Sequence, residues 1–195
     1  MKFEEIAKRI DENNGYISMN DLKELNISKQ YFYMNINKLS LIKVNSGLYA
    51  KDDIIIDNLY VRSFNNNFIY SYESSLFLNK FTLKELEFDS ITVINGYNAK
   101  HLKKYNFSIN YVDESIFDLG KAKVLTPFGN SVNCYDLERT ICDIICNKNK
   151  IDMQVFSYAL KQYFSLKNRN LNKLIKYAKK LKCLDKVRNY AEILI

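Results

Sequence analysis

Apolar residues at Phe3, Ile6, Ala7 and Ile10 follow the i, i+3, i+4, i+7 spacing of an amphipathic helix, and Asn13-Asn14-Gly15 marks its end. Two capped helix starts come next. Ser18 precedes a helix whose third position is Asp21, a capping-box pattern, with Ile17 outside and Leu22 inside at the spacing of a hydrophobic staple. Ser28 repeats the arrangement with Ile27 and Phe32, so only Leu25 and Asn26 remain as a turn between the two helices. In the helix opened by Ser28, Phe32, Ile36 and Leu39 form the inward stripe, which leaves Lys29, Gln30, Tyr33 and Asn37 on the outer face. Ile42-Lys43-Val44 and Leu48-Tyr49-Ala50 then flank Asn45-Ser46-Gly47, where Asn and Gly tolerate the positive φ of a hairpin turn. Two closely joined helices followed by a small β-hairpin predict a winged helix-turn-helix domain over residues 1–51.

Asp52 and Asp53 mark the boundary with a second domain, residues 52–195, and no Gly-, Pro- or Ser-rich linker intervenes. The pattern there predicts a helix over 54–64, a short strand at Phe68-Ile69-Tyr70 and a helix capped near Ser71. The period then changes to short β-branched or aromatic segments at 90–94, 107–112, 123–126 and 131–134, separated by turn residues such as Asn95-Gly96 and Phe128-Gly129-Asn130. From Asp136 onward it is helical again, over 136–147, 151–164, 170–182 and 184–194. The expected fold class is α+β: an N-terminal winged helix-turn-helix followed by a mixed α/β body ending in a C-terminal helical bundle.

Composition narrows the setting. A hydrophobic share of 47% over 195 residues excludes a disordered chain. No apolar run approaches the roughly 20 residues that span a bilayer, and Met1-Lys2-Phe3-Glu4-Glu5 lacks the apolar core of a secretion signal, so a cytoplasmic protein with no membrane partner is expected. Cys134, Cys142, Cys146 and Cys183 form no CxxC pair, which points to reduced, mostly buried thiols. The net charge of +7 is unevenly placed: residues 136–195 hold 13 basic against 6 acidic side chains. Lys173, Lys176, Lys179, Lys180 and Lys182 make up a basic run there, suited to a polyanion or an acidic protein, although a solvated helical surface carries the same pattern.

Catalytic signals are absent. The sequence contains no Gly-rich phosphate loop, no GxSxG, no HExxH, and a single imidazole, His101, in the basic run Lys100-His101-Leu102-Lys103-Lys104. Cys142 and Cys146, four apart on a helix, would make only half of a metal site. Glu138 and Asp143 share no helix face, and a helix cap by Asp136 with surface pairing of Glu138 or Arg139 accounts better for the charges there. The reading is a non-enzymatic protein without metal or cofactor. Its DNA contacts are expected from Ser28, Lys29, Gln30, Tyr33 and Asn37 at the second capped helix, and from Lys38, Lys43 and Asn45 toward phosphates.

Three stretches together resemble the AbiEi-type antitoxins of type IV toxin-antitoxin systems, which accompany phage defence by abortive infection. The first is the head, with Ile27-Ser28 and the wing-like Lys43-Val44-Asn45-Ser46-Gly47-Leu48-Tyr49. The second, Ile69-Tyr70-Ser71-Tyr72-Glu73-Ser74-Ser75-Leu76, is similar to that family's strand and helix with a His-Glu-Ser-Ala core, with Tyr72 in place of His and Ser75 in place of Ala. The third, Val132-Asn133-Cys134-Tyr135-Asp136-Leu137-Glu138-Arg139-Thr140-Ile141-Cys142-Asp143, resembles Pro-Glu-Arg-Thr-Leu-x-Asp, with Leu137 in place of Pro. The resemblance implies a transcriptional autorepressor whose winged helix binds inverted repeats in its operator DNA. It further implies a body that counteracts a nucleotidyltransferase-like toxin encoded nearby, with Glu73, Glu138, Arg139 and Asp143 in structural roles. A winged-helix regulator with a ligand-binding or dimerisation domain and no toxin is the alternative.

Overall fold

The computed structural model describes residues 2–82 and 88–194, which form a mixed α/β protein ending in a helical region. It divides into two compact units, one made of residues 1–66 with Leu125–Val132, the other of Asn67–Val124 with Asn133–Ile195. The first unit therefore runs past the boundary expected at residue 51 and takes in a segment from far along the chain.

In the first unit α1 (Lys2–Glu12), β1 (Tyr16–Ser18), α2 (Met19–Glu24) and α3 (Lys29–Asn35) precede the hairpin β2 (Leu41–Asn45) and β3 (Leu48–Lys51). Strand β3 lies between β1 and β2, antiparallel to both. Both expected caps form. The Ser18 hydroxyl accepts from Asp21 N while the Asp21 carboxylate accepts from Ser18 N at 2.8 Å, and the Ser28 hydroxyl accepts from Tyr31 N at 3.2 Å. Arg9 of α1 and Asn13 just after it also donate to Asp21, at 3.0 and 3.2 Å, which fixes α1 against α2. Ile6, Ile10, Leu22, Ile27, Phe32, Leu39, Leu41 and Tyr49 close the core beneath these elements.

The helix expected over 54–64 is shorter, α4 (Asn58–Ser63). Asp57 caps it by accepting from Tyr60 N at 3.1 Å, and the preceding Ile54 and Ile56 pack without helical structure into a cluster with Tyr16, Leu48, Ala50 and Val61. The Asp57 carboxyl group is 1% exposed and also accepts from Thr126 Oγ1 and, at 2.8 Å, from Asn130 Nδ2. Asn14 Nδ2 donates to Gly129 O and Asn130 Oδ1, both at 3.2 Å. These bonds bring residues 125–132 into the first unit.

The second unit is built on a mixed five-stranded sheet containing β4 (Ile69–Tyr70), β5 (Ser90–Ile94), β6 (Ser108–Val112), β7 (Lys121–Leu125) and β8 (Ser131–Tyr135), in the order β6-β5-β4-β8-β7. Strand β4 is antiparallel to β5 and parallel to β8, and β5 is parallel to β6. A parallel pair needs a crossover. Here it is the 3-10 segment Ala99–Tyr105, whose buried Ala99 and Leu102 repeat at three residues. Helices α5 (Tyr72–Leu78), α7 (Leu137–Cys146), α8 (Met153–Ser165), α9 (Leu171–Lys180) and α10 (Leu184–Leu194) share one apolar core, and α6 (Glu114–Phe117) is a single turn.

Arg139 is buried at 1% exposure, not paired at the surface as its sequence context suggested. Its Nε donates to both Asp143 oxygens at 3.0 Å, and its Nη1 donates to Ile116 O at 2.7 Å and Leu119 O at 2.8 Å. The guanidinium also lies 4.2 Å from the Tyr135 ring centroid. Gly120, at φ +78°, leaves room for this arrangement, because a Cβ there would meet the Arg139 Cβ at 2.5 Å. The cysteines also depart from expectation. Cys134 and Cys142 are buried free thiols, whereas Cys146 and Cys183 form a disulfide with Cα atoms 5.8 Å apart, because packing sets the end of α7 beside the residue before α10.

Two outcomes follow for stability. Burial raises the Asp21 pKa, but the hydrogen bonds from Ser18, Arg9 and Asn13 outweigh it, so the folded value lies below the ordinary one. Folding thus favours the carboxylate: this stabilisation is complete above the unfolded pKa of about 3.9 and disappears as pH falls through the folded value. Urea midpoints of the wild type should drop between pH 7 and pH 3, and Asp21→Asn should shrink that drop. In Arg139→Ala the Asp143 carboxylate loses its partner, and urea denaturation at pH 7 should show a loss of about 3–5 kcal/mol.

Candidate nucleic-acid interface

The cap at Ser28 sets the direction of α3 and places its first turn at the surface. Lys29, Gln30, Tyr33 and Met34 are exposed along it, Met34 at 74%. Met34 follows Gln30 by four residues, so the spacing that selected Gln30 also indicates Met34, although its apolar character hid it. Tyr33 stacks edge-on against Tyr49 of β3 at 6.4 Å, tying the exposed aromatic of the helix to the hairpin. Burial first, and then the neighbouring Tyr33 hydroxyl, push the Tyr49 phenol up to about 12, so it remains protonated.

The helix ends at Asn35, earlier than its apolar stripe implied, because Ser40 at φ +52° and the bond from Leu41 N to Ile36 O turn the chain into β2. Asn37 and Lys38 therefore sit exposed in that turn and not on the helix. Lys43 is exposed on β2, opposite Tyr49. Asn45 differs from the other candidates, since its amide donates to Val61 O at 2.7 Å and its carbonyl accepts from Ser46 N at 2.8 Å. It holds the hairpin to α4, and its side chain is committed to the fold.

Some cations of this unit are paired with carboxylates and others are not. Arg9 pairs with Asp21 at 3.0 Å and Glu24 at 2.7 Å, Lys51 with Asp11 at 2.8 Å, and Lys8 with Glu12 at 3.7 Å. Lys29, Lys38 and Lys43 enter no ion pair among the described residues. Lys2 and Lys23 likewise enter none, so the exposed lysines around α3 and β2 belong to a wider set of cations without a carboxylate partner, a distribution that attracts a polyanion.

In the second unit Lys176, Lys179, Lys180 and Lys182 are exposed on or just after α9, without ion pairs among the described residues. Lys173 does not belong to that set, because it bridges Asp136 and Glu138 at 3.1 Å each, from one turn inside α9. The two motif stretches of this unit converge. Ser75 Oγ bonds Thr140 Oγ1 and donates to Tyr135 O at 3.0 Å. Glu73 accepts from Asp152 N at 3.3 Å. Tyr72, held at φ +47°, lines a cavity of about 200 Å³ with Arg139, Asp143 and Lys150. Burial pushes the Asp143 carboxyl above the usual range against the pull of Arg139. Among the described residues no group of three or more His, Cys, Asp or Glu side chains has the arrangement of a metal site, and no helix is long and apolar enough to cross a membrane.

No family model and no curated protein matches the sequence. The fold is similar to that in the crystal structure of the RV2827C protein from Mycobacterium tuberculosis, with a TM-score of 0.59 at 9% identity, covering 98% of this chain and 76% of that one.

Proposed function

We propose that this protein is a DNA-binding autorepressor and antitoxin of the type IV, AbiEi-like class, with a winged helix-turn-helix formed by α2, α3 and the β2–β3 hairpin. The observation that carries the DNA-binding half is the set of exposed, unpaired lysines on and around α3 and the hairpin. Arg9, Lys51 and Lys8 are neutralised by carboxylates, while Lys29, Lys38 and Lys43 are not. Helix α3 enters the major groove with Lys29 and Gln30 toward base edges, where Met34 supplies apolar contact for a thymine methyl. Lys38 and Lys43 hold phosphates on either side, and the Ser28 hydroxyl donates to the backbone while its lone pair caps the helix. One small head reads few base pairs, so two heads occupy an inverted repeat. The antitoxin half is supported by the resemblance of the stretches around Glu73 and Arg139 and by the unpaired lysines of α9. These lysines oppose a nucleotidyltransferase-like toxin.

Lys29→Ala combined with Gln30→Ala should weaken binding to DNA upstream of the protein's own reading frame at least tenfold, from about 1–3 kcal/mol per lost bidentate base contact. Wild-type affinity should fall steeply with salt as counterions are released. Footprinting and a salt titration measure both, and salt-independent binding or an unprotected promoter would count against the reading.

The two halves should separate genetically in the full-length chain. Reversing Lys176, Lys179, Lys180 and Lys182 to Glu should abolish rescue of growth when the neighbouring toxin frame is expressed, yet leave the promoter footprint intact. The Lys29/Gln30 variant should do the opposite. Rescue undiminished by the four reversals would reduce those lysines to solvated surface.

A further inference from the structure

An open pocket of about 650 Å³ lies where the end of α7, the 3-10 turn Lys148–Lys150 and α10 meet, within the second unit. Lys148, Lys150 and Lys186 line it, Ile145, Tyr190 and Ile193 supply an apolar wall, and no carboxylate is among its lining residues. The three ammonium groups have neutral partners. Lys186 donates to Cys146 O at 3.3 Å, Lys150 donates to Asn110 Oδ1 at 3.0 Å, and Lys148 lies 5.5 Å from the Phe156 ring centroid. None forms an ion pair among the described residues. Lys150 also borders the smaller cavity that contains Asp143, but that carboxylate is already held by both bonds from Arg139 Nε.

Three lysines line one pocket with no carboxylate among its lining residues, and an anion entering it supplies a counter-charge. The apolar wall sets a second requirement. Ile193 is 77% exposed at its edge and the Tyr190 ring presents a flat aromatic surface, braced edge-on by Phe156 at 5.4 Å. The volume matches pockets that enclose ligands of nucleotide size. We propose that this pocket binds a nucleoside polyphosphate, with its phosphates on Lys148, Lys150 and Lys186 and its base against Tyr190 and Ile193. The proposal is independent of operator recognition and of the toxin.

Calorimetric titration of the full-length protein with ATP, tripolyphosphate and adenosine tests it. ATP should bind, tripolyphosphate at least tenfold more weakly, and adenosine without measurable heat. Lys148→Glu with Lys186→Glu should weaken ATP binding at least tenfold, while Lys8→Glu with Lys161→Glu, the same charge change away from the pocket, should leave it unchanged. Acetylation of wild-type lysines provides a readout that does not depend on a variant's folding: ATP should slow labelling of Lys148, Lys150 and Lys186 and leave Lys161 unaffected. Equal affinity for tripolyphosphate, equal losses in both double variants, or unprotected pocket lysines would each overturn the proposal.

Discussion

A guanidinium removed from water must have its donors met, and the second unit is arranged around meeting those of Arg139. Two carboxylate oxygens of Asp143, two backbone carbonyls from the α6 turn and the chain after it, and the face of Tyr135 surround one side chain. Each partner comes from a different part of the unit: the same helix, the segment before β7, and the end of β8. The charge therefore fixes α7 at a defined height against the sheet. The Asp136 cap at the start of α7 and the bond from Asp136 N to Gly120 O at 2.7 Å tighten the same junction. A hydrophobic residue of similar volume would fill the space but would leave the carbonyls of Ile116 and Leu119 without these donors.

The first unit solves a different problem with the same chemistry. Its helices are too short to be stable alone, so each depends on a side-chain cap and on burial of one face. Asp21 serves the α2 cap and receives Arg9 and Asn13 as well, so one carboxylate orders three elements. Arg9 and Lys51 are held by carboxylates of this unit, whereas Lys29, Lys38 and Lys43 enter no ion pair among the described residues.

What the sequence reveals follows from interaction range. The Ser18 and Ser28 caps, the end of α1 before the Asn13-Asn14-Gly15 turn and the turn at Ser46-Gly47 involve partners within a few residues, and their signals are written in adjacent positions. Strand β5 and helix α10 are equally legible from periodicity alone. Arg139 is not, because its carbonyl partners lie 20 and 23 residues away and nothing beside it marks burial of a charge. Ile54 and Ile56 suit a helix by pattern, but tertiary contacts with Tyr16 and Leu48 override that preference. The pairing of Cys146 with Cys183 depends on how two helices pack, which spacing does not encode. The exposure of Lys29, Gln30, Tyr33 and Lys43 follows from the local pattern, whereas the commitment of Asn45 does not, because its amide is used by a carbonyl 16 residues away.

The enlistment of residues 125–132 by the first unit has a consequence for the order of events at the ribosome. Asp57 is synthesised well before Thr126 and Asn130, the two side chains that donate to its buried carboxyl group. During elongation the head can collapse around its helices and hairpin, but that carboxyl group keeps its water until about seventy further residues have emerged. Completion of the N-terminal unit is therefore gated by translation of the 67–124 segment of the second. The head is not an excisable cassette: it acquires its last hydrogen bonds only once Thr126 and Asn130, far along the chain, have been made.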